Sequence, residues 1–165
     1  MAQEKFNITN LVNNDGCFDL QFRKDTRHER TGSPTYYRWK VQFIITTLKE
    51  NVRTLEKTKK IFGCGNISIA QGQARFSVQK IDDMAGFIIP YFTKNPLADN
   101  KKKDFLLWQK AVHIIYQNKG IYISKWKKND LLQLIEIHKA MAKYKKKPKP
   151  QKWQDMAKNF ARLTS

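Results

Sequence analysis

The chain has 165 residues, 41% hydrophobic and 12% aromatic, with 32 basic against 14 acidic side chains and a formal charge of +18. That length and apolar content can build one domain with a real core. The charge exceeds what solubility needs and points to a polyanionic partner, nucleic acid first. No apolar run approaches the roughly 20 residues that span a bilayer, and no N-terminal segment joins a clean apolar face to a basic one, which sets a membrane aside. The two cysteines, Cys17 and Cys64, have no second Cys or His at ligand spacing, so a zinc module or disulfide scaffold is not expected and a reducing compartment fits. The start, Met1 to Lys5, lacks an apolar signal core and the Arg-rich character of a transit peptide.

The first expected element is a short helix. Ile8, Leu11 and Val12 fall at i, i+3 and i+4, and Gly16 is the residue type that takes the left-handed conformation where a helix stops. Asp15, in the last turn, faces the negative end of the helix dipole, at a cost of about 0.3 to 1 kcal/mol that a bound cation removes. The alternative is a solvated turn residue before the glycine. From Cys17 the period becomes two: Phe18, Leu20 and Phe22 point one way, Asp19, Gln21 and Arg23 the other. Residues 24–34, with Arg27, Arg30, Gly32 and Pro34, read as a basic, turn-rich loop. Tyr36 to Thr46 then alternates strictly, with Tyr37, Trp39, Val41, Phe43 and Ile45 opposite Arg38, Lys40, Gln42 and Ile44.

Leu48, Val52, Leu55 and Phe62 follow helical spacing up to Gly63 and Gly65. Two shorter strands have Ile67, Ile69, Ala74, Phe76 and Val78 inward and Asn66, Ser68, Arg75 and Ser77 outward, joined through Gln71, Gly72 and Gln73. A helix over Ile81 to Phe92 carries Met84, Phe87, Ile88 and Tyr91 on one face, bent or ended by Pro90. After Lys101, Lys102 and Lys103 comes a helix with Leu106, Trp108, Ala111, Val112 and Ile115. A last long helix, Asn129 to Lys143, turns Leu132, Ile135 and Met141 inward. Residues 145–150 form a basic, proline-broken strap, and Trp153, Met156, Phe160 and Leu163 a short amphipathic helix. The expected organisation is one domain over 1–144, followed by the strap and terminal helix at 145–165.

The stretch Ile8 to Gly16 resembles the signature helix of the LAGLIDADG homing endonucleases at Ile8, Leu11, Val12, Asp15 and Gly16. The order helix, strand, strand, helix, strand, strand, helix over residues 8–92 is also the order of that family. The fold class implied is α+β, an αββαββα saddle with additional C-terminal helices. Asn10 and Asn14 stand where the family carries small residues, Asn13 where it usually carries an acid, and Thr47 where many relatives place a Gln that helps order metal-bound water. In the family two motif helices pack side by side and each aspartate holds divalent metal between the scissile phosphates. For an active enzyme the resemblance therefore implies a homodimer with Mg²⁺ at two copies of Asp15, since no second motif is evident. It also implies a lysine near the phosphates from the group Lys101, Lys102 and Lys103. Lys102 is assigned that catalytic part, with Lys101 and Lys103 as phosphate contacts.

Other chemistries find little support. His28, His113 and His138 are scattered with no Ser or Cys beside them in a nucleophile pattern, and Gly63-Cys64-Gly65 lacks the remaining glycines of a phosphate-binding loop. Nucleic-acid contacts are expected from Gln21, Arg23, Arg38, Lys40, Gln42 and Arg75 on the sheet, and from Arg27 and Arg30 in the loop. Lys101 and Lys103, and Lys145, Lys146, Lys147 and Lys149 in the strap, complete the set. Asparagine at two small-residue positions overpacks a close helix crossing, by about 1 to 3 kcal/mol per side chain. The expectation is thus a monomeric, catalytically inactive LAGLIDADG derivative without a cofactor. It binds structured RNA rather than DNA, among other proteins of an organellar ribosome or intron ribonucleoprotein, in a mitochondrion ahead of a chloroplast. The alternative is an active homodimeric Mg²⁺-dependent, site-specific DNA endonuclease.

Overall fold

The structure is a computed structural model; it describes residues 6–26, 35–145, 157–158 and 161–162, with the side chains of 24–26 and 35–36 left aside. Helix α1 (Ile8–Asp15) leads without a break into β1 (Gly16–Thr26). After β2 (Thr35–Leu48) and a 3₁₀ turn at Lys49–Asn51 come α2 (Val52–Phe62), β3 (Asn66–Ala70) and β4 (Gln73–Val78). Then follow α3 (Ile81–Asp83), a π turn at Met84–Ile88 and α4 (Ile89–Lys94). The long α5 (Asp99–Gln117) and α6 (Lys128–Ala142) close the described elements. The strands form one sheet in the order β1-β2-β4-β3, with β4 antiparallel to both neighbours that flank it. The expected α+β class and element order are those observed. No helix among the described residues is long and apolar enough to cross a membrane.

The chain divides into two compact units, Met1–Asp19 with Gln42–Phe105, and Leu20–Val41 with Leu106–Ser165. The first is packed around phenylalanine. Phe18 lies 5.3 Å from Phe43 and 5.4 Å from Phe105, Phe92 meets Phe18 edge-on at 6.0 Å, and Phe62 stacks on Phe76 at 6.1 Å. Such tilted and edge-on pairs satisfy the ring quadrupoles and add about 0.5 to 1.5 kcal/mol each beyond area burial. In the second unit Phe22 stacks on Tyr37 at 5.7 Å and meets Trp39 at 5.1 Å, while His138 of α6 sits edge-on to Trp39 at 6.2 Å.

Several local expectations need correction. Gly16 is extended, with φ −83 and ψ 151, and not left-handed. Its need for glycine is steric, because a Cβ there would stand 2.6 Å from Val12 Cγ1 and 2.8 Å from the Val12 carbonyl oxygen. The strand can start at once only if nothing projects back onto the last turn. Leu48 ends β2 and is exposed, so α2 starts at Val52. The helix over 81–94 continues through Pro90. Its middle widens to a π turn in which the Ile89 N–H reaches the Met84 carbonyl, and this gives the proline ring room where an ordinary α turn would clash. The widening rephases the buried stripe to Met84, Ile88 and Phe92 and leaves Phe87 exposed. In α6 the stripe is Leu131, Leu134, Ile135, His138 and Met141. Leu132, expected inward, is 44% exposed, because the buried stripe runs through Leu131 and His138 instead.

Candidate active site and nucleic-acid interface

Helix α1 starts where Asn7 accepts a hydrogen bond from the Asn10 backbone N–H at 3.2 Å, and it is held to its unit through the fully buried Ile8 and Val12. Those anchors turn the N-cap Asn7, Asn10 and Asn14 to solvent, at i, i+3 and i+7, so the two departures from the family's small residues, Asn10 and Asn14, lie on one exposed stripe with Asn7. Asn13 faces the other way. Its side-chain oxygen accepts the Ala98 N–H at 3.1 Å and ties the segment before α5 to α1. Asp15 is the last helical residue and is exposed.

That tie sets the first turn of α5 against the end of the motif. Lys101, half-buried, donates from Nζ to the Gly16 carbonyl oxygen at 2.5 Å, a contact across 85 positions of sequence. Lys102 and Lys103 are exposed and lie in the same turn. Of the three lysines open as candidates for that part, Lys101 is the one whose ammonium reaches the end of the motif, since only one residue of a helical turn can face a given point. Thr47 is partly exposed and its hydroxyl accepts from the Asn51 amide at 3.4 Å. No group of three or more His, Cys, Asp or Glu among the described residues is placed to hold a metal ion. Cys64 offers no ready thiolate, because burial and then the nearby Asp83 carboxylate push its pKa up to about 11.

Within the same unit the outer face of the sheet is set by register. Ile44, Ser77 and Asn66 form one cross-strand row, Thr46, Arg75 and Ser68 the next, and Leu48, Gln73 and Ala70 the last. Arg75, Gln73, Asn66 and Ser68 are exposed, an outward guanidinium flanked by amides and hydroxyls. Gln42 shares this parity but is not open. It is 6% exposed and its amide donates to Oδ2 of Asp19, 5% exposed, at 2.8 Å. Its expected part as a reader of bases is corrected, since its donor is already committed to a carboxylate that burial makes expensive to leave alone. Gln73 was missed by sequence reasoning, which put it in the turn. That turn needs only Gln71 and Gly72, at φ 53 and 78, the two-residue hairpin with both central residues left-handed.

In the other unit Arg38 is exposed, and Gln21, Arg23 and Lys40 are half-buried, all on the outward parity of their strands. Lys145, half-buried, follows α6 with its N–H on the Ala142 carbonyl at 3.3 Å. Arg27, Arg30, Lys146, Lys147 and Lys149 lie outside the described residues.

The family described as LAGLIDADG endonuclease matches residues 8–112. Over 115 residues the chain is 32% identical to "Probable intron-encoded endonuclease 3" of Neurospora crassa, covering 68% of this chain and 20% of that protein. Among solved structures it resembles the homing endonuclease I-TnaI at a TM-score of 0.68 and 18% identity, over 96% of this chain and 95% of that one. I-CpaMI bound to uncleaved DNA gives 0.73 and 21%, over 98% and 51%; I-SmaMI bound to cleaved DNA gives 0.73 and 20%, over 94% and 49%. The chain thus spans a fifth of the Neurospora protein and about half of I-CpaMI and I-SmaMI. The structural likenesses speak for the fold, and the match over α1 to most of α5 decides the family: the chain belongs to the LAGLIDADG endonucleases.

Proposed function

We propose that this chain is one nucleic-acid-gripping unit of a LAGLIDADG endonuclease, which binds duplex DNA on the outer face of its sheet and hydrolyses a phosphodiester at Asp15 once a second motif helix is supplied. The observation that carries this reading is the Lys101 ammonium on the carbonyl oxygen of Gly16, the residue that follows the exposed Asp15, brought there from 85 positions along the chain. A stability role explains neither: an exposed acid at the negative end of a helix is unfavourable, and a lysine folded back onto a carbonyl gives up hydration and side-chain freedom.

A single carboxylate per chain fits a hard divalent cation of the Mg²⁺ type, which takes one or two protein carboxylates and completes its shell with phosphate oxygens and water. When bound at Asp15 such a cation supplies charge stabilisation and an activated water. This chain's own residues would do the rest. Arg75, Gln73, Asn66 and Ser68 offer donors and acceptors to base edges, where a well-placed bidentate pair contributes about 1 to 3 kcal/mol of discrimination. Lys101 holds positive charge where the scissile phosphate would stand. The likeness of the fold to DNA-bound I-SmaMI and I-CpaMI supports the duplex as ligand.

A second reading, an uncleaving binder of structured RNA, is favoured by the stripe of Asn7, Asn10 and Asn14, which puts amides on the open face of α1. Incubation of the protein with Mg²⁺ and a randomised duplex library separates the two. The endonuclease reading expects cleaved products that disappear in Asp15→Asn, while duplex affinity changes by less than about threefold, as for a loss confined to the chemical step. An intact library, together with tighter binding to folded RNA than to any duplex, would favour the RNA reading.

A further inference from the structure

The connection between α5 and α6 is basic in a different way from the sheet. Residues 118–128 contain Lys119, Lys125, Lys127 and Lys128 and no acid, and all four lysines are exposed. At the tip Tyr122 is 82% exposed, against 46% for Tyr116 at the end of α5. Nothing about the connection is loose. Trp126, buried, donates its indole N–H to the Ile121 carbonyl at 3.0 Å. The buried Asn118 amide donates to the Ile114 carbonyl at 2.8 Å and to Oδ2 of Asp130 at 3.3 Å. The Ile121 N–H bonds Asn118 at 3.0 Å and the Lys125 N–H bonds Tyr122 at 2.8 Å, both to carbonyl oxygens. The tyrosine ring is held outward on a closed turn.

As a folding device this arrangement works against itself. The ring gives up its burial, the lysines repel one another, and Lys127 and Lys128 stand at the end of α6 whose dipole disfavours cations. A strand of unpaired nucleotides reverses all three, since its bases offer flat faces to the ring and its phosphates neutralise the lysines. We propose that the 118–128 turn is a second nucleic-acid site, taking an unpaired segment of polynucleotide with a base stacked on Tyr122 and the backbone against Lys125, Lys127 and Lys128. A duplex does not suit it, because paired bases already spend both faces on their neighbours in the stack. The site does not depend on what Asp15 does.

Fluorescence anisotropy of the full chain with short labelled oligouridylate and oligothymidylate tests the site, with a duplex as the third ligand. Tyr122→Ala is expected to lower single-strand affinity by about 5- to 150-fold, the range of one base–aromatic stack, while Tyr122→Phe keeps it and duplex binding stays level. Combined Lys125→Gln, Lys127→Gln and Lys128→Gln should reduce the slope of log affinity against log salt by about 2. A loss on oligouridylate alone supports the site and assigns it to RNA. A Tyr122→Ala protein that melts at the unchanged temperature and keeps its single-strand affinity overturns the proposal. Equal losses on duplex and single strand overturn it too, by making the turn part of the duplex interface. Whether the library is cleaved has no bearing on either result.

Discussion

On the inner face of β4, Ala74, Phe76 and Val78 are closed off from solvent, while on its outer face Gln73 and Arg75 stand exposed between strands that offer Thr46 and Ser68. The two faces alternate along one backbone, so each residue of this strand is committed either to holding the unit together or to meeting a ligand. β2 does not keep that separation. Gln42 and Ile44 have outward parity, yet both are buried, and Gln42 is spent on Asp19. Strand parity says which way a side chain points; only the neighbouring elements say whether anything can reach it.

The sharpest test of that contrast is on the inner face. Phe76→Ala removes a fully buried ring that stacks on Phe62 and meets Phe43 edge-on at 6.3 Å. A destabilisation of about 3 to 5 kcal/mol is expected in urea titration, with duplex affinity intact in whatever fraction remains folded. Gln42→Ala probes the exception. It strips a donor from the buried Asp19 carboxylate and should cost about 1 to 3 kcal/mol of stability, where an outward residue of ordinary kind would cost nearly nothing. A stability change below about 0.5 kcal/mol, the usual range for surface substitutions, would return Gln42 to the interface. Arg75→Ala should leave urea stability within that same range and lower affinity for a library-selected duplex by about 1 to 3 kcal/mol, with little effect on a scrambled one. An equal loss on both duplexes would make Arg75 a phosphate contact and not a reader of bases.

Much of this was legible because the periodicities are clean. The alternation of Phe18 to Arg23 and of Tyr37 to Ile45 is that of half-buried strands, and the run ending in Asp15-Gly16 carried the family. What failed did so for local reasons. A proline inside a helix usually breaks it, and a π turn that absorbs one leaves no mark in the spacing of apolar residues. In α6 the core stripe includes His138, a ring set against Trp39, and histidine does not stand out as a core residue in an apolar pattern. Gln is an uncommon first residue for a tight hairpin, which disguised Gln71-Gly72 as a longer turn and Gln73 as part of it. The choice among Lys101, Lys102 and Lys103 depends on a contact across 85 positions, and no local pattern carries that.

The turn at Gln71-Gly72 has a consequence beyond joining two strands. With both residues at positive φ, its geometry admits one pairing of β3 with β4. A slip of one position would send Arg75 inward and Phe76 out. Because alignment is fixed at the rim, the outward side chains are relieved of any part in keeping it. Asn66, Ser68, Gln73 and Arg75 are then free to be exchanged for other polar residues one at a time, each exchange changing what the surface recognises while the same frame persists. Two residues at the edge thus make the surface retargetable.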